Sequence, residues 1–194
     1  AGIRLVPLPL YFTPAQIQHA LLSSGAEALI ADPRVTLPGL ASEPLAPLLP
    51  WSEEGAALAY SRIVPAASVT LPTGTQKITY TSGTTGAPKG VCLSLSSLES
   101  VAQALAAASE ARPGDVHLSA LPLATLLENI GGLYAPLLVG ATACLWPLQE
   151  VGLGGATQID AARLLQALRI SEATSLILVP QMLQALVTQI ERGD

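Results

Sequence analysis

Charge is scarce in this 194-residue chain: 12% of its residues are charged, against about 25% in a typical soluble domain. Only Lys77 and Lys89 are lysines, and the net charge is −5. No basic stripe can form along a phosphate backbone, so nucleic-acid binding is excluded. Cysteine is nearly absent. Cys92 and Cys144 are the only two, too few for a disulfide framework or a thiolate metal site, and the composition fits a reducing, cytoplasmic setting. The two histidines, His19 and His117, stand alone in sequence and read as satisfied or solvent-facing rings. No metal ligand set is expected.

Unbroken apolar helices are missing as well. The uncharged run from Asn129 to Gln149 is interrupted by Gly131, Gly132, Pro136, Gly140 and Pro147, and the run from Ala173 to Ile190 by Pro180. These breaks read as helix, turn and strand, so no membrane span is expected. Arg4 is followed by Pro7, Pro9 and Pro14, which is not a signal-peptide pattern. Half of the residues are nevertheless hydrophobic. That excess must be core, or surface meant to be covered.

Three stretches organise the chain. Residues 1–32 read as strand, helix, strand: Ile3 to Pro7, a helix with Thr13 as N-cap and Pro14 in its first turn closed by Gly25, then Ala28 to Ala31. This has the size of a parallel βαβ unit. Residues 33–75 form a linker. Seven of the sixteen prolines lie between 33 and 72, no apolar period survives, and one short turn or strand around Ala57 to Ile63 is expected.

Residues 76–194 form an α/β segment. Strands are expected at Lys77–Thr81, Val91–Leu93, Val116–Ala120, Ala141–Trp146 and Ser175–Val179. Helices are expected from Ser96, from Thr125 toward Gly140, over Asp160–Leu168, and from Pro180. Ser96…Glu99 and Thr125…Glu128 both have the spacing of capping boxes. Leu98, Val101 and Leu105 mark the inner face of the first of these helices. Strands alternating with helices predict an α/β fold with a largely parallel sheet and flanking helices.

One segment differs from this apolar background: Tyr80-Thr81-Ser82-Gly83-Thr84-Thr85-Gly86-Ala87-Pro88-Lys89-Gly90. Its glycines let backbone approach a ligand, and successive N–H groups in such a turn form an anion-binding nest. The hydroxyls add donors, and Lys89 supplies a compact positive charge. Between two strands, this reads either as a polyphosphate-binding loop or as a flexible Gly/Ser/Thr surface hairpin. It is not the Walker loop, because two residues separate Gly86 from Lys89 and a strand follows. It is not the dinucleotide fingerprint either.

The string from Tyr80 through Val91 closely resembles the phosphate-loop signature of the adenylate-forming enzymes: acyl-CoA synthetases, peptide-synthetase adenylation domains and luciferases. Gly2 to Pro7, Gly114 to Leu123 and Thr174 to Pro180 resemble flanking segments of that superfamily, and Leu121 to Glu128 is most like its long-chain acyl-CoA synthetases. The resemblance implies a fragment of the large N-terminal domain. The parent enzyme would use ATP with Mg2+ to convert a carboxylic acid, a fatty acid in that subgroup, to an acyl adenylate, then transfer the acyl group to coenzyme A.

It also implies that Thr81, Ser82, Gly83, Thr84, Thr85, Gly86 and Lys89 hold the phosphates. Catalytic residues stay unassigned. Family members often carry histidine or an aromatic where Thr125 stands, so Thr125 is read both as a helix cap and as an acyl-site position. The later family motifs do not occur in the sequence. The expectation is therefore a middle piece, inactive alone, whose partners are the remaining domains of the same enzyme. The alternative is a degenerate, non-catalytic relative that binds a nucleotide or a partner chain.

Overall fold

The computed structural model describes residues 2–32, 37, 42–47, 58–64, 68–81, 87–154 and 158–192. The chain divides into two compact units, one of Ala1–Leu8 with Phe12–Leu93 and the other of Pro9–Tyr11 with Ser94–Asp194.

The first unit opens with an extended segment that touches its neighbour at a single parallel bridge, Leu5 to Lys77. Helix α1 (Pro14–Ser24) follows, and its start is fully built. Thr13 accepts from the Gln16 amide, the Gln16 side chain accepts from the Thr13 amide, and Gly25 closes the helix in the left-handed conformation at φ 64°. That φ is one glycine adopts without a Cβ penalty.

Strand β1 (Ala28–Ala31) pairs antiparallel with β3 (Ala59–Ile63), which pairs antiparallel with β2 (Ser42–Pro47). The parallel βαβ expectation is corrected on this point, since the partner of β1 is β3 rather than residues 3–7. Strand β3 falls where a short turn or strand is expected, whereas β2 is not anticipated. Its prolines obscure it in sequence but suit its place at the sheet edge, where an amide donor is dispensable; the register shifts between Pro44 and Ala46.

Strands β4 (Thr75–Thr81) and β5 (Lys89–Ser94) pair with each other. Alternation along β4 sends Ile78 and Tyr80 to one face, where they are buried with Phe12 and Ala20 in the core of this unit. The opposite face carries Thr75, Lys77 and Thr79, also buried.

The second unit is layered. Strand β6 (Val116–Ser119) lies between β7 (Thr142–Leu145) and β10 (Ser175–Leu176), parallel to both, with His117 in register with Ser175. Leu118 on one face of β6 packs with Leu164 and Ala167 of α5 (Ala161–Ile170) and with Met182 and Leu186 of α6 (Pro180–Glu191). Helix α2 (Leu95–Ala108), α3 (Leu126–Glu128), a π-helical turn (Asn129–Tyr134) and α4 (Ala135–Leu138) form a second helical group, whose π turn packs on β6. A two-stranded antiparallel ribbon, β8 (Leu153–Gly154) and β9 (Gln158–Ile159), precedes α5. This is the expected α/β arrangement of a parallel sheet with flanking helices.

Four local expectations are corrected here. Helix α2 begins earlier than Ser96, because Ser94 at the end of β5 accepts from the Ser97 amide and serves as the cap. Its inner face is Leu98, Ala102 and Ala106, while Val101 is exposed, since small alanines let the helix approach closely. The strand expected over Ser175–Val179 pairs only at Ser175–Leu176. The helix expected toward Gly140 is present but broken by the π turn that contains Gly131 and Gly132.

Candidate phosphate-binding loop and its supports

The loop expected to bind phosphate springs from the paired ends of β4 and β5. Thr81 closes β4 and Lys89 opens β5, both exposed, and the Thr81 hydroxyl lies 3.5 Å from the Lys89 carbonyl. Pairing of the two strands thus brings together the first and last of the expected site residues. Ser82, Gly83, Thr84, Thr85 and Gly86 lie outside the described residues.

Both ends of the loop are tied to α1. On the entry side, the Tyr80 hydroxyl donates to the Ala20 carbonyl at 3.0 Å and lies 2.6 Å from the Ser23 hydroxyl. On the exit side, the carbonyl of buried Pro88 accepts from His19 Nε2 at 3.1 Å. One helix therefore fixes both strands from which the loop hangs. Gly90 completes the fit. A Cβ there would stand 2.9 Å from Ile78 Cγ2 and 3.1 Å from Tyr80 Cζ, so only glycine lets β5 lie this close. Sequence reasoning missed the roles of His19 and Gly90. The contact from His19 spans 69 residues, and no local pattern announces it.

Lys77 sits four residues before Thr81 in the same strand and is 1% exposed. Burial lowers its pKa from 10.5 to about 8, because desolvation disfavours the ammonium form. The Thr79 hydroxyl on the same face is buried without a hydrogen-bond partner among the described residues.

Thr125 departs from the cap reading of it. It occupies the N-cap position with extended backbone, but its side chain makes no cap bond. Its hydroxyl donates instead to the Pro122 carbonyl at 2.7 Å, closing the turn that leads into α3. The capping-box expectation fails for the same reason at its other end, since Glu128 turns inward and is fully buried near His117. His117 is likewise no surface ring, being 4% exposed.

A groove of about 930 Å³ runs beside α5 and α6, lined by Gln184, Arg163 and Arg192 among others. Among the described residues no cluster of three or more His, Cys, Asp or Glu could hold a metal ion, and no helix is long and apolar enough to cross a membrane.

The architecture is that of an α/β protein with a parallel sheet and flanking helices. Comparison with known proteins narrows the class: the model of the family described as AMP-binding enzyme matches residues 1–193, and the chain belongs to that family. Over 70 residues it is 43% identical to "Probable CoA ligase CCL8" of Humulus lupulus, a match covering 36% of this chain and 12% of the relative. Over 66 residues it is 44% identical to the peroxisomal long chain acyl-CoA synthetase 7 of Arabidopsis thaliana, covering 32% and 9%. The matched stretch is thus about a tenth of each curated relative. Among solved structures, o-succinylbenzoate CoA synthetase of Bacillus subtilis with its acyl-adenylate intermediate matches 95% of this chain and 45% of its own at TM-score 0.62 and 21% identity. That similarity establishes a shared fold.

Proposed function

We propose that this chain is part of an AMP-forming acyl-CoA synthetase, with the loop from Thr81 to Lys89 as its polyphosphate cradle. One observation carries the reading. Thr81 and Lys89 flank the loop from paired strands, both exposed, and no acidic residue occurs between Lys77 and Ser94. A donor-rich, carboxylate-free turn suits a polyanion.

In the parent enzyme, Thr81, Ser82, Thr84 and Thr85 would donate to the β- and γ-phosphates of ATP, Gly83 and Gly86 would admit them to the backbone, and Lys89 would add its charge. As the carboxylate attacks the α-phosphate, negative charge grows on the departing pyrophosphate, and donors fixed in place lower the barrier there. Mg2+ would arrive with the phosphates, since the ion usually keeps waters and is held largely by phosphate oxygens. The synthetase of Bacillus subtilis has also been solved with ATP and magnesium ion, which supports this assignment. Coenzyme A as acyl acceptor is supported by the CoA-ligase relatives, and a fatty acid as substrate by the long chain acyl-CoA synthetase.

Thr125 enters as a positioning residue at the turn before α3, because its hydroxyl is committed to Pro122. The remaining domains of the parent enzyme supply the groups that align the carboxylate, so this chain alone does not turn over. The test is acid-dependent ATP–pyrophosphate exchange by the full-length enzyme over a panel of carboxylic acids. Exchange is expected with long-chain acids. Exchange confined to aromatic or short acids overturns the fatty-acid assignment, and none with any acid overturns the enzyme.

A further inference from the structure

The most unusual group in the second unit is a carboxylate with no visible partner. Glu128 is fully buried, and neither of its oxygens has a hydrogen-bond partner among the described residues. Burying a carboxylate unpaired is costly, so the surroundings must answer it. The elements packed around it offer a short inventory. Helices α2, α3 and α4, the π turn and strands β6, β7 and β10 contain no lysine or arginine. Their titratable side chains besides Glu128 are Glu99, exposed on α2, Tyr134 in the π turn, Cys144 on β7, and His117. Only His117 can carry positive charge there, and its Nε2 lies 3.7 Å from Glu128 Oε1.

The imidazole is held from its other side. Nδ1 is 3.0 Å from the hydroxyl of Ser175, its register partner on β10. Room for the carboxylate comes from Gly132 in the π turn: a Cβ there would collide with Glu128 Oε1 and stand 3.0 Å from His117 Nε2. Backbone, strand register and a missing side chain all converge on one spot. π turns are rare and are found mostly at sites that carry a role.

We infer that Ser175, His117 and Glu128 form a directed row, with the imidazole proton on Nε2 facing the buried carboxylate and Nδ1 accepting from Ser175, and that this row is a positioning device locking the π turn onto β6. The direction is the one in which the carboxylate accepts: the ring then presents N–H to it, a neutral ring has only Nδ1 left as acceptor, and the serine hydroxyl donates. The row runs from an exposed hydroxyl to a sealed carboxylate, and it holds whether or not the parent enzyme is an acyl-CoA synthetase.

The test is long-range ¹H–¹⁵N correlation of the histidine rings in this chain at neutral pH, with His19 and His117 distinguished by an H19Q variant. Wild-type His117 is expected to carry its proton on Nε2, and E128L to remove that preference without moving the His19 signals. H117Q, whose amide reaches the Nε2 position, is expected to keep the melting temperature within a few degrees. H117N, which imitates Nδ1, should lower it by roughly 5 °C or more. A bare Nε2 in the wild-type ring overturns the proposal even if every variant fails to fold. So does an E128L spectrum in which His117 is unchanged.

Discussion

Lys77 should make the stability of this chain depend on alkaline pH in an unusual direction. Its pKa falls from 10.5 to about 8 on burial, so between those values the unfolded chain binds more protons than the folded one. Stability then rises with pH across that window. Below pH 8 the folded state holds a buried ammonium at full cost; above about 10.5 both states are neutral and the cost is gone. At about 1.4 kcal/mol for each pH unit of displacement, the full difference is roughly 3 kcal/mol. Urea unfolding of wild type and K77M at pH 7, 9 and 10.5 isolates the effect, because tyrosines and cysteines titrate alike in both. K77M is expected to be the more stable at pH 7, with the gap closing by pH 10.5. A gap that does not change with pH refutes the reasoning.

Other substitutions probe the supports of the loop and the corrected turn. G90A should lose about 1–3 kcal/mol in denaturant unfolding, because the added methyl overlaps Ile78 and Tyr80; a neutral effect would show that β5 can shift. Y80F should cost about 1 kcal/mol by freeing the Ala20 carbonyl, and an unchanged midpoint would remove the anchor. At Thr125 the informative change is to aspartate, a good cap that cannot donate when ionised. T125S should keep stability while T125D loses about 1 kcal/mol, whereas full stability of T125D would restore the capping role. Leu183, Val187 and Ile190 are exposed along α6, so the isolated chain should bind a hydrophobic dye; a dye-silent chain would show that face to be covered.

The legible features were the local ones. Thr13, Pro14 and Gly25 mark both ends of α1 within a few residues, and alternation with helical spacing was enough to identify a parallel α/β segment. The loop proposed to hold phosphate stands out in sequence because its glycines, hydroxyls and lysine are crowded into one string. What escaped depends on contacts between distant residues. Strand β2 hides behind prolines that only its place at the sheet edge permits. Glu128 has the spacing of a capping box, but the space opened by Gly132 draws it inward. His19 and His117 looked unremarkable because their partners, Pro88 and Ser175, lie 69 and 58 residues away. The scarcity of charge has a matching counterpart in the fold. Two of the few ionisable groups, Lys77 and Glu128, lie in the interior, and the remaining lysine, Lys89, is exposed at the start of β5.

The claim that this loop holds the phosphates of ATP is tested most directly by Lys89. In the full-length enzyme, K89A should slow acid-dependent ATP–pyrophosphate exchange well beyond tenfold, while leaving the denaturation midpoint of this exposed position unchanged. Exchange at the wild-type rate would contradict the assignment of the loop.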